Sequence, residues 1–279
     1  MIAVELVKQA RRPRAWVTVL AIVAIPIVLT VIIGATRPKI AERIGDFGSV
    51  VTNTSGLTMP LIALSTMLLF MLPLTVAIFA GECVAGEASW GSLRYLLARP
   101  VPRWRVLCAK GTIAALFSAG AVVLVVLVSL AAGTLAFGWH PVTVLDLQHT
   151  TPFVVASAKL EPLTAVARLG LATAYVLALL TSTFAFALLL STLSARPFSA
   201  VAGGVGLSLF SRALDNIPGL HALSPWLPVT NAGSSLWTGF FTQPMQTSGI
   251  GHVLAVQASY SALFLLAAVM WFTRSDILS

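Results

Sequence analysis

The chain alternates between long apolar runs and short segments that carry most of its charges. A helix needs about 20 residues to cross a hydrocarbon core of roughly 30 Å. Six runs meet that requirement closely enough to predict membrane spans: residues 16–36, 58–80, 112–137, 164–194, 198–214 and 252–273. The pattern therefore predicts an all-α, polytopic membrane protein in which residues 1–279 form a single transmembrane domain.

Two of the predicted spans contain residues that disturb a helix. The second span includes Pro60 and Pro73, and we expect a kink there because neighbouring helices can satisfy the carbonyl groups that proline leaves free. The fifth span is short and includes Gly203, Gly204 and Gly206. These glycines fit either a close helix–helix contact or a thin, flexible span, and the contact is the favoured interpretation.

Two other apolar segments are unlike ordinary spans. Ile2 and Leu6 share one helical face of the basic N-terminus, which predicts a short amphipathic helix on the membrane surface; a frayed tail is the alternative. Residues 215–250 are aromatic but repeatedly interrupted by proline and glycine. Because non-helical backbone cannot face lipid, we expect short re-entrant helices in the outer leaflet, with Trp226 and Trp237 at the interface. An ordinary external loop is the alternative.

Charge sets the orientation. The net charge of +8 could indicate nucleic-acid binding, but only 9% of residues are charged, and the cations are better explained by the enrichment of Lys and Arg in cytoplasmic loops. With the N-terminus inside, the cytoplasmic cations are Lys8, Arg11, Arg12, Arg14, Arg94, Arg99, Arg103, Arg105, Lys110, Arg196 and Arg274, and the external ones are Arg37, Lys39, Arg43, Lys159, Arg168 and Arg212. The bias predicts that both termini are cytoplasmic.

Candidate catalytic and metal-binding groups are scarce. Cys83 and Cys108 have no histidine on their side of the membrane, and neither cysteine has metal-ligand spacing. His140 and His149 could share a site with Asp146, although a solvated loop is the favoured interpretation. We therefore predict no catalytic residue, no metal site and no enzymatic activity in this chain.

The segment 81–111 is a charged island between apolar runs. Its charged residues are Glu82, Glu87, Arg94, Arg99, Arg103, Arg105 and Lys110. Each charge in hydrocarbon would cost roughly 2.5–3.5 kcal/mol, so the segment is predicted to lie outside the core, in the cytoplasm. Leu93, Leu96 and Leu97 share a helical face, prolines then force a turn, and a helix restarts toward the third span. The alternative is a loop that serves only as a topology signal.

The first residues of this island also have the glycine spacing of a phosphate-binding loop, from Gly81 to Gly86. Such a loop continues with Lys and then Ser or Thr, which hold phosphate and magnesium. Here Glu87 and Ala88 follow instead. The chain is therefore predicted to bind neither ATP nor another cofactor by this route.

The island resembles the first cytoplasmic loop of type-2 ABC transporter permeases, through the pattern E-x4-E-x3-G-S-L-R-x-L-L-x-R-P-V-x-R-W-R. In that family the loop carries a coupling helix that docks on a separate ATPase, which binds ATP and Mg²⁺. The resemblance implies the coupling role for Glu82, Glu87, Gly91, Leu93, Arg94, Leu97, Pro100 and Arg103. It also implies two ATPase subunits, a second permease that is identical or homologous, and a place in the inner membrane of a bacterium.

The resemblance predicts an exporter whose pathway runs between paired permeases and is lined by the second and fifth spans. Candidate pathway residues are Thr58, Ser65, Thr66 and Thr75, and Gly203 and Gly204 are expected to pack against the second permease. The alternative function is a polytopic membrane enzyme or assembly factor without transport activity. A neighbouring gene for an ATPase would separate the two.

Overall fold

The computed structural model describes residue 9 and the ranges 13–44, 55–89, 91, 102–145, 157–215, 217, 224–230, 236–241 and 245–274. The α-helices in these ranges are α1 (Pro13–Ile44), α2 (Met59–Leu69), α3 (Met71–Ser89), α4 (Arg103–Phe137), α5 (Pro162–Leu193), α6 (Pro197–Asp215) and α7 (Ile250–Arg274). The amphipathic N-terminal helix predicted before α1 lies outside the described residues, apart from residue 9.

Five of these helices are long and apolar enough to cross a membrane. They are α1 through Trp16–Thr36, α3, α4, α5 and α7. Helix α6 has 19 residues but is not among them, and α2 is shorter, with 11 residues. The prediction of an all-α polytopic membrane protein is confirmed, whereas the count of six spans stays a prediction.

The predicted second span is divided into α2 and α3 at Phe70, whose φ of −141° departs from helical geometry. The reason is Pro73, which has no N–H to donate to the carbonyl of Leu69 and whose ring crowds that carbonyl. The helix resumes with a 3.0 Å bond from Leu74 N to Phe70 O. The guanidinium of the buried Arg212 donates to the carbonyl of Leu68 at 3.1 Å. The helix is thus interrupted at one residue, Phe70, where a kink was expected.

Helix α3 occupies the centre of the bundle. It packs against α4, α5 and α6, while α7 packs mainly on α5 and α1 on α4. From Thr75 to Glu87, all of its residues except Ile78 are buried. The helix is therefore surrounded by protein along most of its length, and it contributes much of the apolar core.

The glycines of α6 make close contacts within the chain. A Cβ atom at Gly204 would lie 2.8 Å from the Ala187 Cβ and 3.0 Å from the Ala77 Cβ, and one at Gly203 would meet the Leu190 side chain. The prediction of a helix–helix contact is confirmed, but its assignment to a second permease was wrong for these two residues. Small side chains let α6 approach α5 and α3 closely. Gly206 has open space beside it.

One end of the bundle carries an antiparallel pair of strands, β1 (Val142–Leu145) and β2 (Ser157–Leu160), in which Val142 pairs with Leu160. We call it the hairpin end, and the opposite end, where α3 is followed by α4, the loop end. At the hairpin end the backbone N–H of Gly56 donates to the Gly138 carbonyl at 3.1 Å. The strands were not predicted, because four-residue elements leave little periodic signal.

In the described part of the segment before α7, Ser224–Trp226 and Leu236–Phe241 form short 3₁₀ helices. Arg168 of α5 donates to the carbonyl of Phe240 at 2.8 Å. Trp226 is 64% exposed, but Trp237 is only 2% exposed. The short helices agree with the prediction, whereas the interfacial position of Trp237 was wrong because its ring is buried in the core. Entry of these helices into the membrane remains a prediction.

Candidate functional site at the loop end

The predicted coupling loop begins and ends in helix. Helix α3 continues to Ser89 and α4 already begins at Arg103, so much of the segment 81–111 belongs to the bundle. Gly91 has a φ of +70°, and its N–H donates to the Ala88 carbonyl at 3.1 Å. Glycine adopts this left-handed conformation without strain and commonly follows the end of a helix. Gly91 therefore has a structural reason for its place in the pattern.

A buried ion pair joins the two helices near this loop. Lys110 Nζ lies 2.7 Å from Glu87 Oε1, and the two side chains are 4% and 2% exposed. Removing one partner of such a pair typically costs about 3–5 kcal/mol, because an uncompensated charge remains buried. The pair thus links the last turn of α3 to the third turn of α4.

The pair is buried by protein, and the length of α4 indicates how it avoids the hydrocarbon. At 1.5 Å per residue, Lys110 lies about 40 Å along the helix from Phe137. If one boundary of a core of about 30 Å lies at Phe137, the other falls near Phe117. Lys110 then lies about 10 Å beyond the core. The charges predicted to avoid hydrocarbon can do so while three of them, Glu82, Glu87 and Lys110, are buried.

A third helix holds the same part of α3. The Ser191 hydroxyl oxygen of α5 accepts hydrogen bonds from the backbone N–H groups of Val84, at 3.0 Å, and Ala85, at 2.9 Å. In a regular α-helix those groups donate to the carbonyls four residues earlier. Helix α6 also approaches closely, since a Cβ at Gly81 would lie 3.0 Å from the Val201 nitrogen. The loop end of α3 is therefore fixed by α4, α5 and α6.

The first turn of α4 is exposed and basic. Trp104 is 48% exposed, and the Arg105 guanidinium carbon lies 5.3 Å from the centre of its ring. Arg103 is half-buried. The first turn contains no acidic residue, so the positive end of the helix dipole adds to these charges. This surface is suited to an acidic partner.

The structure locates some of the predicted coupling residues. Glu82 and Glu87 are buried in α3, Gly91 is exposed and Arg103 begins α4. Leu93, Arg94, Leu97 and Pro100 lie outside the described residues. Sequence reasoning missed that Lys110 pairs with Glu87. Their opposite charges on either side of one loop were an available signal, whereas nothing in the sequence pointed to Ser191.

The candidate pathway residues do not share one surface. Ser65 and Thr66 are exposed on one face of α2, and both hydroxyls donate to the Ile62 carbonyl, at 2.9 and 2.7 Å. Thr58 precedes α2 and donates to the Ser55 carbonyl at 2.6 Å. Thr75 is buried in α3. Ser65 and Thr66 are thus the exposed members of the set, while Thr58 is partly buried.

Within the part of the chain that the structure describes, no three His, Cys, Asp or Glu side chains cluster as a metal site would require. Of the proposed histidine cluster, His140 is exposed at the hairpin end, where its backbone carbonyl accepts a hydrogen bond of 2.5 Å from the Ser55 hydroxyl. His149 and Asp146 lie outside the described residues. Cys83 is buried, Cys108 is exposed, and the two do not form a disulfide.

Comparison with protein-family models gives a match that covers the loop end. The sequence model of a family described as ABC-2 family transporter protein matches residues 1–196, which include α1 to α5 and the whole loop end of α3 and α4. No curated protein sequence matches the chain. The matched region is more than half of the chain, and it contains the pattern on which the family resemblance was based.

Proposed function

Because the chain belongs to the ABC-2 transporter family, we propose that this transport permease serves an exporter and is coupled through residues 81–111 to a separate ATPase. The observation that supports coupling is the contact between the two helices that flank the loop. The helix before it and the helix after it are joined by the Glu87–Lys110 pair. A force applied to such a loop acts on the bundle, because its ends cannot move independently.

In this proposal the loop end is cytoplasmic, in the inner membrane of a bacterium, and both termini are on that side. The excess of Lys and Arg on the same side supports the orientation. Two ATPase subunits, which bind ATP and Mg²⁺, and a second permease complete the transporter. The hydroxyls of Ser65 and Thr66 are the candidate pathway groups, since both side chains are exposed on α2.

The decisive experiment changes the apolar face of the predicted coupling helix. Leu93 and Leu97 are four residues apart, and each leucine buried in a partner groove would contribute about 1.5–3 kcal/mol. The double variant Leu93→Asp/Leu97→Asp should insert normally but lose the ATPase subunit on co-purification. Arg94→Glu should reduce stimulated ATP hydrolysis while the complex persists at low salt, because charges at the rim of an interface contribute less.

Ser89→Asp is the matched control. Ser89 is exposed at the same end of the bundle, so this variant adds negative charge without removing an apolar contact. It should retain the ATPase. If the double leucine variant also retains an active, stimulated ATPase, the loop is only a topology signal. Coupling would then have to be carried by another part of the permease.

A further inference from the structure

We infer that Glu87 and Lys110 are positioning residues, which act by holding the two ends of the coupling loop in a fixed relation. The resemblance alone would place Glu87 among the groups that contact the ATPase. With 2% of its side chain exposed and an oxygen 2.7 Å from Lys110 Nζ, Glu87 is not available to a docking protein. Its part in coupling is internal, and this inference rests on the proposed function.

The positions of the two residues explain why they control the loop. Glu87 is two residues before the end of α3, and Lys110 is seven residues after the start of α4. An ion pair at this level sets both the distance between the helices and their rotation about their axes. Hydrogen bonds from a charged donor to a charged acceptor are short and directional, so the pair fixes orientation better than apolar packing alone.

Ser191 makes the attachment asymmetric. Its hydroxyl holds the backbone of α3 at Val84 and Ala85, one turn before Glu87. The last turns of α3 are therefore bonded to α5 and to α4. When the loop moves, α3 and α4 therefore move with it as a pair. The bond to Ser191 then transmits the movement of α3 to α5. Without the pair, α4 could shift against α3, and part of the movement would be lost at the base of the loop.

Spin labels test this inference without the ATPase. Cys108 is exposed and Ser89 is exposed, so labels on Cys108 and Ser89→Cys, in a Cys83→Ala background, report the separation of α3 and α4. In nanodiscs the parent protein should give a narrow distance distribution. Glu87→Gln and Lys110→Met should each broaden it. The charge swap Glu87→Lys/Lys110→Glu should restore the narrow distribution, because the pair re-forms in reverse.

Coupling is measured as the stimulation of ATP hydrolysis by the permease, relative to the ATPase alone. Glu87→Gln should reduce stimulation by about 5-fold or more, the lower end of ordinary coupling between sites, while the ATPase still co-purifies. The swap should restore stimulation, which a residue that contacts the ATPase directly would not allow. Failure of the swap to restore it in an inserted protein overturns the inference, as does a narrow distribution with full stimulation in Glu87→Gln.

If the single variants do not insert, the swap is compared with Glu87→Met/Lys110→Met, since neither leaves an unpaired buried charge. The double methionine variant should insert, broaden the distance distribution and reduce the stimulation of ATP hydrolysis. The charge swap should keep the narrow distribution and the full stimulation. Equal behaviour of both double variants refutes a positioning role. Because the distances come from the isolated permease, they stand even if no ATPase binds. Conversely, if the positioning role is refuted, the result expected for the Leu93→Asp/Leu97→Asp variant is unchanged.

Discussion

A single methyl group at Gly204 should destabilise the bundle, and the structure shows why. Its Cβ would lie 2.8 Å from the Cβ of Ala187 on α5 and 3.0 Å from the Cβ of Ala77 on α3. Both alanines are fully buried, and a methyl group has no rotamer that moves it away. The contact can be relieved only by moving α6 away from α5 and α3, so we expect Gly204→Ala to weaken the fold.

The magnitude follows from two opposing effects. Alanine in a helix interior is more stable than glycine by about 0.5–1 kcal/mol, while overpacking a well-packed core costs about 1–3 kcal/mol. Gly206 shares the helix but has open space beside it, so Gly206→Ala has the first effect without the second. The two variants should therefore differ in the free energy of unfolding by about 1–3 kcal/mol. Gly203→Ala should fall between them, since the atom that its Cβ would crowd is the flexible end of the Leu190 side chain.

Thermal unfolding in one detergent, followed by the loss of the monodisperse peak, measures the difference. For a protein of this size, each kcal/mol corresponds to roughly 2–4 °C in Tm. Restoring the space with Ala187→Gly in the Gly204→Ala background should recover part of the loss, and the double-mutant cycle isolates that contact. Equal Tm values for Gly204→Ala and Gly206→Ala would refute the packing argument.

Two further predictions concern α5 and the orientation. Ser191→Ala should lower the free energy of unfolding by about 1 kcal/mol, because two N–H groups lose a shared acceptor. Ser182→Ala is the control, since within the described residues the buried Ser182 hydroxyl has no hydrogen-bond partner. A larger loss of stability from Ser182→Ala than from Ser191→Ala would contradict the reasoning. In a cysteine-free background, cysteines at Ser49 and Gln148 should be labelled from outside intact cells, and one at Ser89 should not. External labelling of Ser89 would reverse the proposed orientation.

The sequence predicted the long helices well, because a run of about 20 apolar residues matches the thickness of the hydrocarbon core and is typical of a membrane-spanning helix. It also predicted where α4 begins, since Pro100 and Pro102 force a turn and the helix restarts directly after them. The break at Phe70 was only partly foreseen: Pro73 indicates a disturbance, but the neighbours decide whether a helix bends or stops. Here Arg212 reaches Leu68 from a distant part of the chain.

The site was harder to predict than the fold. A charge in the sequence indicates that hydrocarbon is avoided, but it does not distinguish water from a protein interior that supplies a counter-ion. Glu87 was therefore assigned to an exposed loop, although Lys110 makes its burial possible. The glycines of α6 illustrate the same limit. Their small size predicts a close contact, but the identity of the neighbouring helix depends on the packing of the whole bundle.

The break at Phe70 means that motion need not follow the order of the chain. A continuous second span would tilt as one rod, and its two ends would swing in opposite directions. Instead, α2 is attached at the hairpin end to α4, where a Cβ at Gly133 would lie 2.7 Å from the Met59 Cβ, and α3 is attached to α4 at the loop end. The movement of a fluorophore on α2 should therefore follow the movement of the 35-residue α4, which reaches both ends of the bundle. It should follow the movement of α3, the next helix in sequence, less closely.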